Sequence, residues 1–244
     1  QTDEQVFTAF PSTANRSPFP YLPQALGIGL ARLFGAGPLT IMYTARVANV
    51  LAWLLLTVLA IRCIPTGKWV LAVVALMPMS LFMAATTSPD AANNACGFLF
   101  IAMTVRYALQ ESRLDARQLA LLTASAAAFV FCKFGYLPLT AIVLILPLRN
   151  IGTVKRYIAF LAFFGAVIVL VTLPQLWWTH ILYYSDTTAQ PAQQLAFIFE
   201  QPSRFLSATW ERLFCADAYY WEMFIGILGW IDTLLPRWLF VSYS

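Results

Sequence analysis

The sequence predicts an all-α fold, a polytopic transmembrane helix bundle. Three observations support it: an apolar composition, apolar stretches of spanning length, and basic residues gathered in short loops. Hydrophobic residues make up 60% of the 244 residues and charged residues only 11%, where a soluble domain has roughly a quarter. A soluble core has no room for that much apolar surface. The same composition excludes a disordered chain, a disulfide scaffold and a charge-dependent nucleic-acid binder, so we expect no nucleic-acid partner.

The apolar stretches approach the ~20 helical residues that cross ~30 Å of hydrocarbon. Residues 39–176 are therefore predicted to form a bundle of about six helices. They are Leu39–Ile61, Trp69–Thr86, Asp90–Leu109, Leu119–Cys132, Tyr136–Leu148 and Tyr157–Leu176. The fourth and fifth are a short pair joined at Lys133-Phe134-Gly135.

The two ends of the chain suggest that more sequence belongs to the protein. The chain begins at Gln1 without a signal-like segment, and it ends inside an apolar run that begins near Pro236. Residues 236–244 are therefore predicted to be the start of a further transmembrane helix. We expect a first span before Gln1 and later spans after Ser244.

Basic residues determine the predicted orientation. If the first visible span runs inward, the inner loops are Arg62–Lys68, Arg106–Arg117 and Arg149–Arg156. These loops hold eight of the 15 basic residues and two acidic ones, while the rest of the chain, which is much longer, holds seven basic and nine acidic residues. Lys and Arg accumulate in short cytoplasmic loops, so residues 1–38 and 177–235 are predicted to be extracytoplasmic.

Both outer segments are predicted to contain helices that lie on the membrane surface. Tyr21–Phe34 has a helical pattern, is too short to span, and ends at a Gly-Ala-Gly-Pro stop signal. Pro191–Glu200 and Pro202–Phe214 each begin with a proline suited to the first helical position and mix apolar with polar residues. Residues 1–38 and 177–235 are thus predicted to be loops with interfacial helices.

Ionisable residues inside spans are costly and usually face a cavity or a partner. Three of them, Arg46, Asp90 and Lys133, fall at the outer ends of different spans. Lys133 lies between helices too short to lift it to the outer surface, which favours a polar recess over snorkelling. Asp90 follows Ser88-Pro89, so it serves either as a helix cap or as a site residue, and Arg46 either pairs with Asp90 or binds ligand.

Further polar residues accompany these charges. Asn49 lies one turn beyond Arg46, and Asn93 and Asn94 continue a polar stripe from Asp90 into the membrane. We take Asp90 as the candidate catalytic residue. The candidate residues for binding a lipid phosphate or substrate are Arg46, Lys133, Asn49, Asn93, Asn94 and Tyr21. The four cysteines and the single histidine show no metal-ligand spacing, so no metal ligand is assigned.

The order of several short motifs is more specific than any one of them. The motifs are Ser17-Pro18-Phe19-Pro20-Tyr21-Leu22-Pro23, Tyr43-Thr44-Ala45-Arg46-Val47-Ala48-Asn49, Ser88-Pro89-Asp90-Ala91, Lys133-Phe134-Gly135-Tyr136-Leu137-Pro138 and Leu228-Gly229-Trp230-Ile231-Asp232-Thr233. In this order they resemble a family of bacterial multi-pass membrane proteins, catalogued as a domain of unknown function and grouped with the GT-C glycosyltransferases. The resemblance runs from about Phe10 to the end of the chain.

The resemblance implies a GT-C-like bundle in the bacterial cytoplasmic membrane. It implies transfer of a sugar from a polyprenyl-phosphate donor to a glycan acceptor at the outer leaflet, with membrane lipids as the surroundings. In GT-C enzymes an acidic residue after the first span serves as base or metal ligand; here that stretch would precede Gln1. The cofactor therefore stays open, a divalent cation being one option. The alternatives are a transporter or flippase, or a non-catalytic scaffold, for lipid-linked glycans.

Overall fold

The computed structural model describes residues 17–183, 191–212, 219–229 and 233–243. It is 82% helical, which confirms the all-α class. The described residues up to Tyr183, apart from Met77–Met79, form one compact unit, and Met77–Met79 with the described residues from 191 onward form a second. The predicted outer segments lie partly outside the described residues, at 1–16, 184–190, 213–218 and 230–232.

The first unit begins with a 3-10 turn at Phe19–Tyr21. The elements that follow are α1 (Leu22–Leu33), α2 (Pro38–Cys63), α3 (Lys68–Ala75), α4 (Pro78–Ala85), α5 (Asp90–Leu109), α6 (Ala116–Cys132), a long 3-10 helix (Phe134–Ile145), α7 (Leu148–Ile151) and α8 (Val154–Tyr183). Proline at the first position begins α2, and a capping box between Asp115 and Gln118 begins α6. The observed helix starts therefore coincide with recognisable start signals, and α6 begins three residues before the predicted Leu119.

The second unit contains three further helices and a hairpin. They are α9 (Pro191–Glu200), α10 (Pro202–Trp210), α11 (Tyr219–Gly226), the antiparallel strands β1 (Ile227–Leu228) and β2 (Thr233–Leu234), and α12 (Arg237–Tyr243). The predicted helix at Pro191–Glu200 is confirmed with the same bounds, and the next one begins at Pro202 as predicted. The two short strands are the one departure from helix that the sequence did not predict.

Fewer described helices meet a spanning criterion than the six predicted. Pro38–Cys63 and Val154–Trp177 are long and apolar enough to cross a membrane, and the pair Lys68–Ala75 and Pro78–Ala85 adds a third if it counts as one span. By contrast α5 carries Asp90, Asn93 and Asn94 in its first turn or just beyond. Half of the α5 residues are buried by the rest of the protein. A central helix of this kind needs less apolar surface than one that faces lipid.

The stretch Trp69–Thr86 is not the single straight helix that was predicted. It consists of α3 and α4, which meet at an angle of 58°. Pro78 begins α4, and proline has no N–H to continue the hydrogen-bond ladder of the preceding helix. The break therefore follows from a residue that the hydropathy pattern alone does not weigh.

The predicted α-helix Tyr136–Leu148 is also different in the structure. Residues Phe134–Ile145 form a 3-10 helix, and the short α7 follows from Leu148. Pro138 lies inside this segment, where an α-helix would lose a hydrogen bond. A 3-10 helix rises about 2.0 Å per residue, so its 12 residues reach ~24 Å, and the 17 residues of α6 reach ~25 Å. Both elements exceed the predicted ~20 Å.

The core of the first unit is built around α5. Phe100 in the middle of α5 is fully buried and stacks against Phe129 of α6, with ring centroids 6.1 Å apart. The largest buried cluster continues from α5 and α6 to α8, where it includes Phe160 and Phe164. On the other side of α5, alanines allow α2 to approach closely. The two ends of α5 are therefore held by helices on both sides.

The helix α1 packs antiparallel along the first half of α2. A Cβ placed on Gly27 would lie 2.6 Å from the Thr44 carbonyl oxygen and 2.9 Å from the Ala48 Cβ, so only glycine allows this approach. Near the start of α1, Gln24 contacts Asn49. The surface-lying helix predicted for Tyr21–Phe34 therefore runs beside α2 in the structure, because a small residue lets the two helices pack lengthwise.

At the end of the bundle where α5 stops, Asn150 joins neighbouring segments. Its fully buried side chain donates from Nδ2 to the carbonyl oxygens of Tyr107 (2.7 Å) and Ala108 (3.2 Å). Its backbone oxygen accepts from the Leu114 N–H at 2.7 Å. These bonds satisfy carbonyls of the last turn of α5, which have no partner within the helix. We call this end of the bundle the Arg106 end, and the opposite end, where α5 begins, the Asp90 end.

Candidate functional site

An ion pair joins the start of α5 to the residue that follows α6. The Lys133 Nζ lies 3.5 Å from the Asp90 Oδ1, and 46% of the lysine side chain and 32% of the aspartate side chain are exposed. The ammonium also lies 5.4 Å from the ring centroid of Tyr136, within the range of a cation–π contact. Sequence reasoning placed both charges at the same end of the bundle, and the structure brings them into contact.

The carboxylate of Asp90 has a partner at each oxygen. Its Oδ2 accepts from the Ser88 hydroxyl at 3.4 Å, while its Oδ1 faces Lys133. The Asp90 N–H donates to the Ser88 Oγ at 3.2 Å, so the serine, and not the carboxylate, satisfies the first donor of α5. Asp90 still gains from the helix dipole in the first turn. Its hydrogen bonds, however, belong to Ser88 and Lys133 and not to a helix cap.

Two buried amides hold the segment that carries Asp90. Asn49 is 1% exposed, and its Nδ2 donates to the carbonyl oxygens of Ala84 (3.2 Å), Thr86 (2.8 Å) and Ser88 (3.4 Å). Gln24 donates from Nε2 to the Asn49 Oδ1 at 2.9 Å and to the Ser88 carbonyl oxygen at 3.3 Å. These bonds tie α1 and α2 to the link between α4 and α5. We call Gln24 and Asn49 the amide pair.

Sequence reasoning named Asn49 but missed Gln24. A signal was present: Gln24 is the only amide in α1, and it shares one face with Gly27 and Ala31 at three- and four-residue spacing. All three are buried. A glutamine on the small-residue face of an otherwise apolar helix indicates a hydrogen-bond partner in the neighbouring element.

Arg46 does not join the ion pair. Within the described ranges no carboxylate lies at ion-pair distance from it, so the alternative in which it pairs with Asp90 does not match the structure. Its guanidinium carbon lies 5.7 Å from the ring centroid of Tyr43 on the same helix. The Nε atom is buried and has no hydrogen-bond partner among the described residues. Arg46 is thus a half-buried cation whose Nε donor no described residue uses.

The three predicted charges nevertheless share one level along the bundle. Each is 16 positions from an arginine at the Arg106 end of its own helix: 46 to 62 in α2, 90 to 106 in α5, and 117 to 133 in α6. At 1.5 Å per residue, each lies ~24 Å above that arginine. By this count the three charges lie at a similar height, and the structure pairs two of them, Asp90 and Lys133.

The remaining predicted site residues border the same end. Asn93 is 3% exposed, and its Oδ1 has no hydrogen-bond partner among the described residues; Asn94 is half-buried. Tyr21 is half-buried in the 3-10 turn. That turn reaches α6 through Phe19, whose ring centroid lies 5.3 Å from that of Phe131. All the predicted residues fall at the Asp90 end, but direct contact is shown only for Asp90 with Lys133.

The described residues contain no group of three or more His, Cys, Asp or Glu side chains close enough to hold a metal ion. The nearest pair of soft ligands is Cys96 with Cys132, whose sulfur atoms are 4.0 Å apart inside the core. Near Asp90 the neighbours are a lysine, a serine and amides, which suit an anion with several oxygen atoms better than a cation. The arrangement is therefore a polar one that combines a positive and a negative side chain.

Comparison with known proteins identifies the family of the chain. No curated protein and no solved structure matches it. A family model described as "Predicted membrane protein (DUF2142)" matches residues 2–244, nearly the whole chain. The apolar helices of spanning length agree with that description. The chain therefore belongs to the DUF2142 family of predicted membrane proteins.

Proposed function

We propose that this membrane protein is a glycosyltransferase of cell-envelope glycan synthesis or modification. It takes a sugar from a polyprenyl-phosphate donor at the outer leaflet of the bacterial cytoplasmic membrane and passes it to a glycan acceptor. The observation that supports this proposal is the half-exposed Lys133 held by Asp90 at the end of the bundle opposite the basic loops. The resemblance to GT-C glycosyltransferases supports the class of reaction.

The level of the ion pair suits a lipid-linked phosphate. If the arginines at the Arg106 end mark the inner boundary, as the accumulation of basic residues there suggests, the pair lies ~24 Å from it. The hydrocarbon layer is ~30 Å thick, so the pair lies roughly 6 Å below the outer boundary. A charge at that depth requires a polar partner, which Asp90 supplies, and it is accessible to a phosphate carried by a membrane lipid.

Lys133 retains donors for a phosphate even while it is paired. An ammonium group has three N–H donors, and the Asp90 Oδ1 engages one of them at 3.5 Å. The other donors are available because nearly half of the side chain is exposed. Negative charge builds on the departing phosphate during transfer, and a fixed cation stabilises that charge more than it stabilises the starting donor.

Asp90 and Arg46 have different roles in this proposal. Both oxygens of Asp90 are engaged, by Lys133 and by Ser88, so its role is to hold the ammonium in place. Arg46 is unpaired among the described residues and lies at the same level, so its free donors serve a second phosphate oxygen or the sugar. Asn93 and Asn94 supply neutral donors and acceptors for sugar hydroxyls.

One observation favours a transporter of lipid-linked glycans as the second candidate. Discontinuous helices are common at the binding sites of transporters, and α3 and α4 form such a broken pair, bent by 58°. The same site would then bind the lipid phosphate without breaking a bond. The two candidates differ in their products: the transferase releases free polyprenyl phosphate and a glycosylated acceptor, and the transporter releases neither.

The test is an assay of the intact purified protein in lipid nanodiscs with a panel of polyprenyl-phosphate sugars and a panel of glycan acceptors. The readout is released polyprenyl phosphate. We expect Lys133→Ala to lower turnover by about 100-fold or more, the usual effect of losing one donor to a developing anion. Lys133→Arg keeps the charge and should retain more activity than Lys133→Ala. Lys155→Ala, the same change at an exposed lysine of the Arg106 end, is the matched control and should turn over like the wild type.

Three results would count against the proposal. Wild-type turnover in Lys133→Ala would remove the lysine from the reaction. An equal loss in Lys155→Ala would mean that the protein responds to any lost lysine. Binding of the donor without phosphate release, together with movement of a fluorescent lipid-linked sugar between leaflets, would favour the transporter.

A further inference from the structure

The helix α1 and the first half of α2 form an antiparallel helical hairpin. Their connection is four residues, 34–37, and includes Gly35 at φ +63°. The register is set at two places: Gln24 hydrogen-bonds to Asn49, and Gly27 packs against the backbone of α2 at Thr44 and Ala45. The first turn of α1 therefore lies at the level of Asn49, and its last turn lies at the level of the start of α2.

The face of α1 that points away from α2 is apolar and exposed. Leu26 is 73% exposed and Leu33 is 83% exposed, and Leu22 and Leu30 on the same face are about half exposed. These positions recur every three or four residues, which is one side of a helix. The opposite side carries the buried small residues and Gln24. Helix α1 thus has one face packed on the protein and one apolar face without a protein partner among the described residues.

The heights along the hairpin place that apolar face at hydrocarbon depth. Asn49 is 13 positions before Arg62, so Gln24 beside it lies ~20 Å above the Arg106-end boundary. Moving up α1 by 1.5 Å per residue puts Leu26 at ~23 Å and Leu30 at ~29 Å, within a hydrocarbon layer of ~30 Å. Arg32, the only ionisable residue of α1, falls at ~32 Å, at the opposite boundary. The single charge of α1 lies where a membrane tolerates it.

We propose that α1 is a re-entrant half-span whose leucine face contacts the acyl chains of the outer leaflet. The leucine face continues the exposed apolar surface of α2, formed by Leu39, Val47 and Leu51, on a helix long enough to cross the membrane. Both faces therefore meet the same surroundings. A helix lying on the membrane surface would run across α2 instead of along it.

The half-span has a structural consequence for the candidate site. It brings the 3-10 turn before α1 against α6, where Phe19 packs against Phe131, two residues before Lys133. It also delivers Gln24 to Asn49, and through Asn49 to the link that carries Asp90. The proposal concerns the lipid contact alone and does not depend on the reaction proposed above.

Spin labels at single cysteines test the proposal in the whole protein. The background variant has its four native cysteines replaced by alanine, and it is reconstituted in vesicles of phosphatidylethanolamine and phosphatidylglycerol. Labels are placed by Leu22→Cys, Leu26→Cys and Leu30→Cys on the leucine face. Leu55→Cys on the exposed face of α2 is the hydrocarbon reference, and Gly37→Cys in the connection is the aqueous reference. Collision rates with oxygen and with a water-soluble nickel chelate give the depth of each label.

The expected result is a depth gradient. The three leucine positions should collide often with oxygen and less with nickel than Gly37→Cys does. Each should lie about 6 Å deeper than the one a turn later, so that Leu22→Cys is the most similar to Leu55→Cys. Gly37→Cys should collide freely with nickel. Equal depth at Leu22, Leu26 and Leu30 would overturn the proposal in favour of a surface helix. Low collision with both reagents would mean that a protein partner or a second copy covers the face, and high nickel collision would mean that it faces water.

Discussion

Replacing Asn49 by leucine tests whether the amide pair holds the segment before Asp90. Leucine has a similar volume, so Asn49→Leu removes hydrogen bonds without leaving a large cavity. The Thr86 carbonyl oxygen loses its 2.8 Å bond, and the Gln24 Nε2 loses its 2.9 Å bond. Gln24 retains a longer bond to Ser88, at 3.3 Å.

The expected loss of stability follows from these two groups. A buried polar group left without a partner costs about 1–3 kcal/mol. Hydrogen bonds between membrane helices are weaker, ~0.6 kcal/mol on average, so each group is taken at the lower part of the first range, about 1–2 kcal/mol. Two such groups give a loss of about 2–4 kcal/mol. For a chain of this size, 1 kcal/mol shifts the melting temperature by roughly 2–4 °C, so Asn49→Leu should melt about 5–15 °C below the wild type.

Thermal unfolding in detergent, followed by tryptophan fluorescence, measures this shift. Asn94→Leu is the matched control, because Asn94 is half-buried and its side chain makes no hydrogen bond with the described residues. Its free energy of unfolding should change by no more than about 0.5 kcal/mol, as for a surface substitution. A shift of 2 °C corresponds to about 0.5–1 kcal/mol. If Asn49→Leu melted within 2 °C of Asn94→Leu, the hydrogen bonds of Asn49 would not be what holds α1, α2 and the Asp90 segment together.

Three further changes have expected outcomes that the same thermal assay measures. Gly27→Ala should lower the stability by about 1–3 kcal/mol, because the new Cβ meets backbone atoms of α2. Gly29→Ala is the control: it has open space around it and should be neutral or slightly stabilising. Similar losses in both variants would contradict the packing of α1 on α2. Asn150→Leu should cost about 1–3 kcal/mol and speed amide hydrogen exchange near Tyr107, and unchanged exchange there would refute the anchoring role. Phe100→Ala should cost about 3–5 kcal/mol, since its side chain is fully buried; a loss below about 1 kcal/mol would contradict its central position.

The starts of these helices were predicted better than the course of the apolar stretches. Helices that begin with proline, such as Pro38–Cys63 and Pro191–Glu200, were located to within a residue at their starts. At Pro78 and Pro138 the apolar pattern continues although a backbone N–H donor is missing. The helix breaks at Pro78 and is a 3-10 helix around Pro138. Hydropathy averages over many residues and does not register the loss of a single donor.

Sequence reasoning predicted which end of the bundle the candidate residues occupy, but not their contacts. Counting positions placed Arg46, Asp90 and Lys133 at one end of the bundle, because rise per residue is nearly constant in a helix. Contacts depend in addition on the rotation of each helix about its axis, which counting does not give. Gln24 was missed for a related reason: its partner Asn49 is 25 positions away, on a helix whose facing side was unknown.

The rotation of α5 explains why Asp90 pairs with Lys133 and not with Arg46. Ala91 and Ala95 lie one turn apart and pack in the cluster that contains Trp53 of α2, so this stripe faces α2. Gly97 follows Asp90 by two turns and lies on the same side, and a Cβ there would meet the Phe129 ring of α6 at 3.0 Å. The small residues that let α5 approach both neighbours thus turn Asp90 towards α6, whose last residue precedes Lys133. Two stripes of small residues on one helix therefore select the cation that the carboxylate binds.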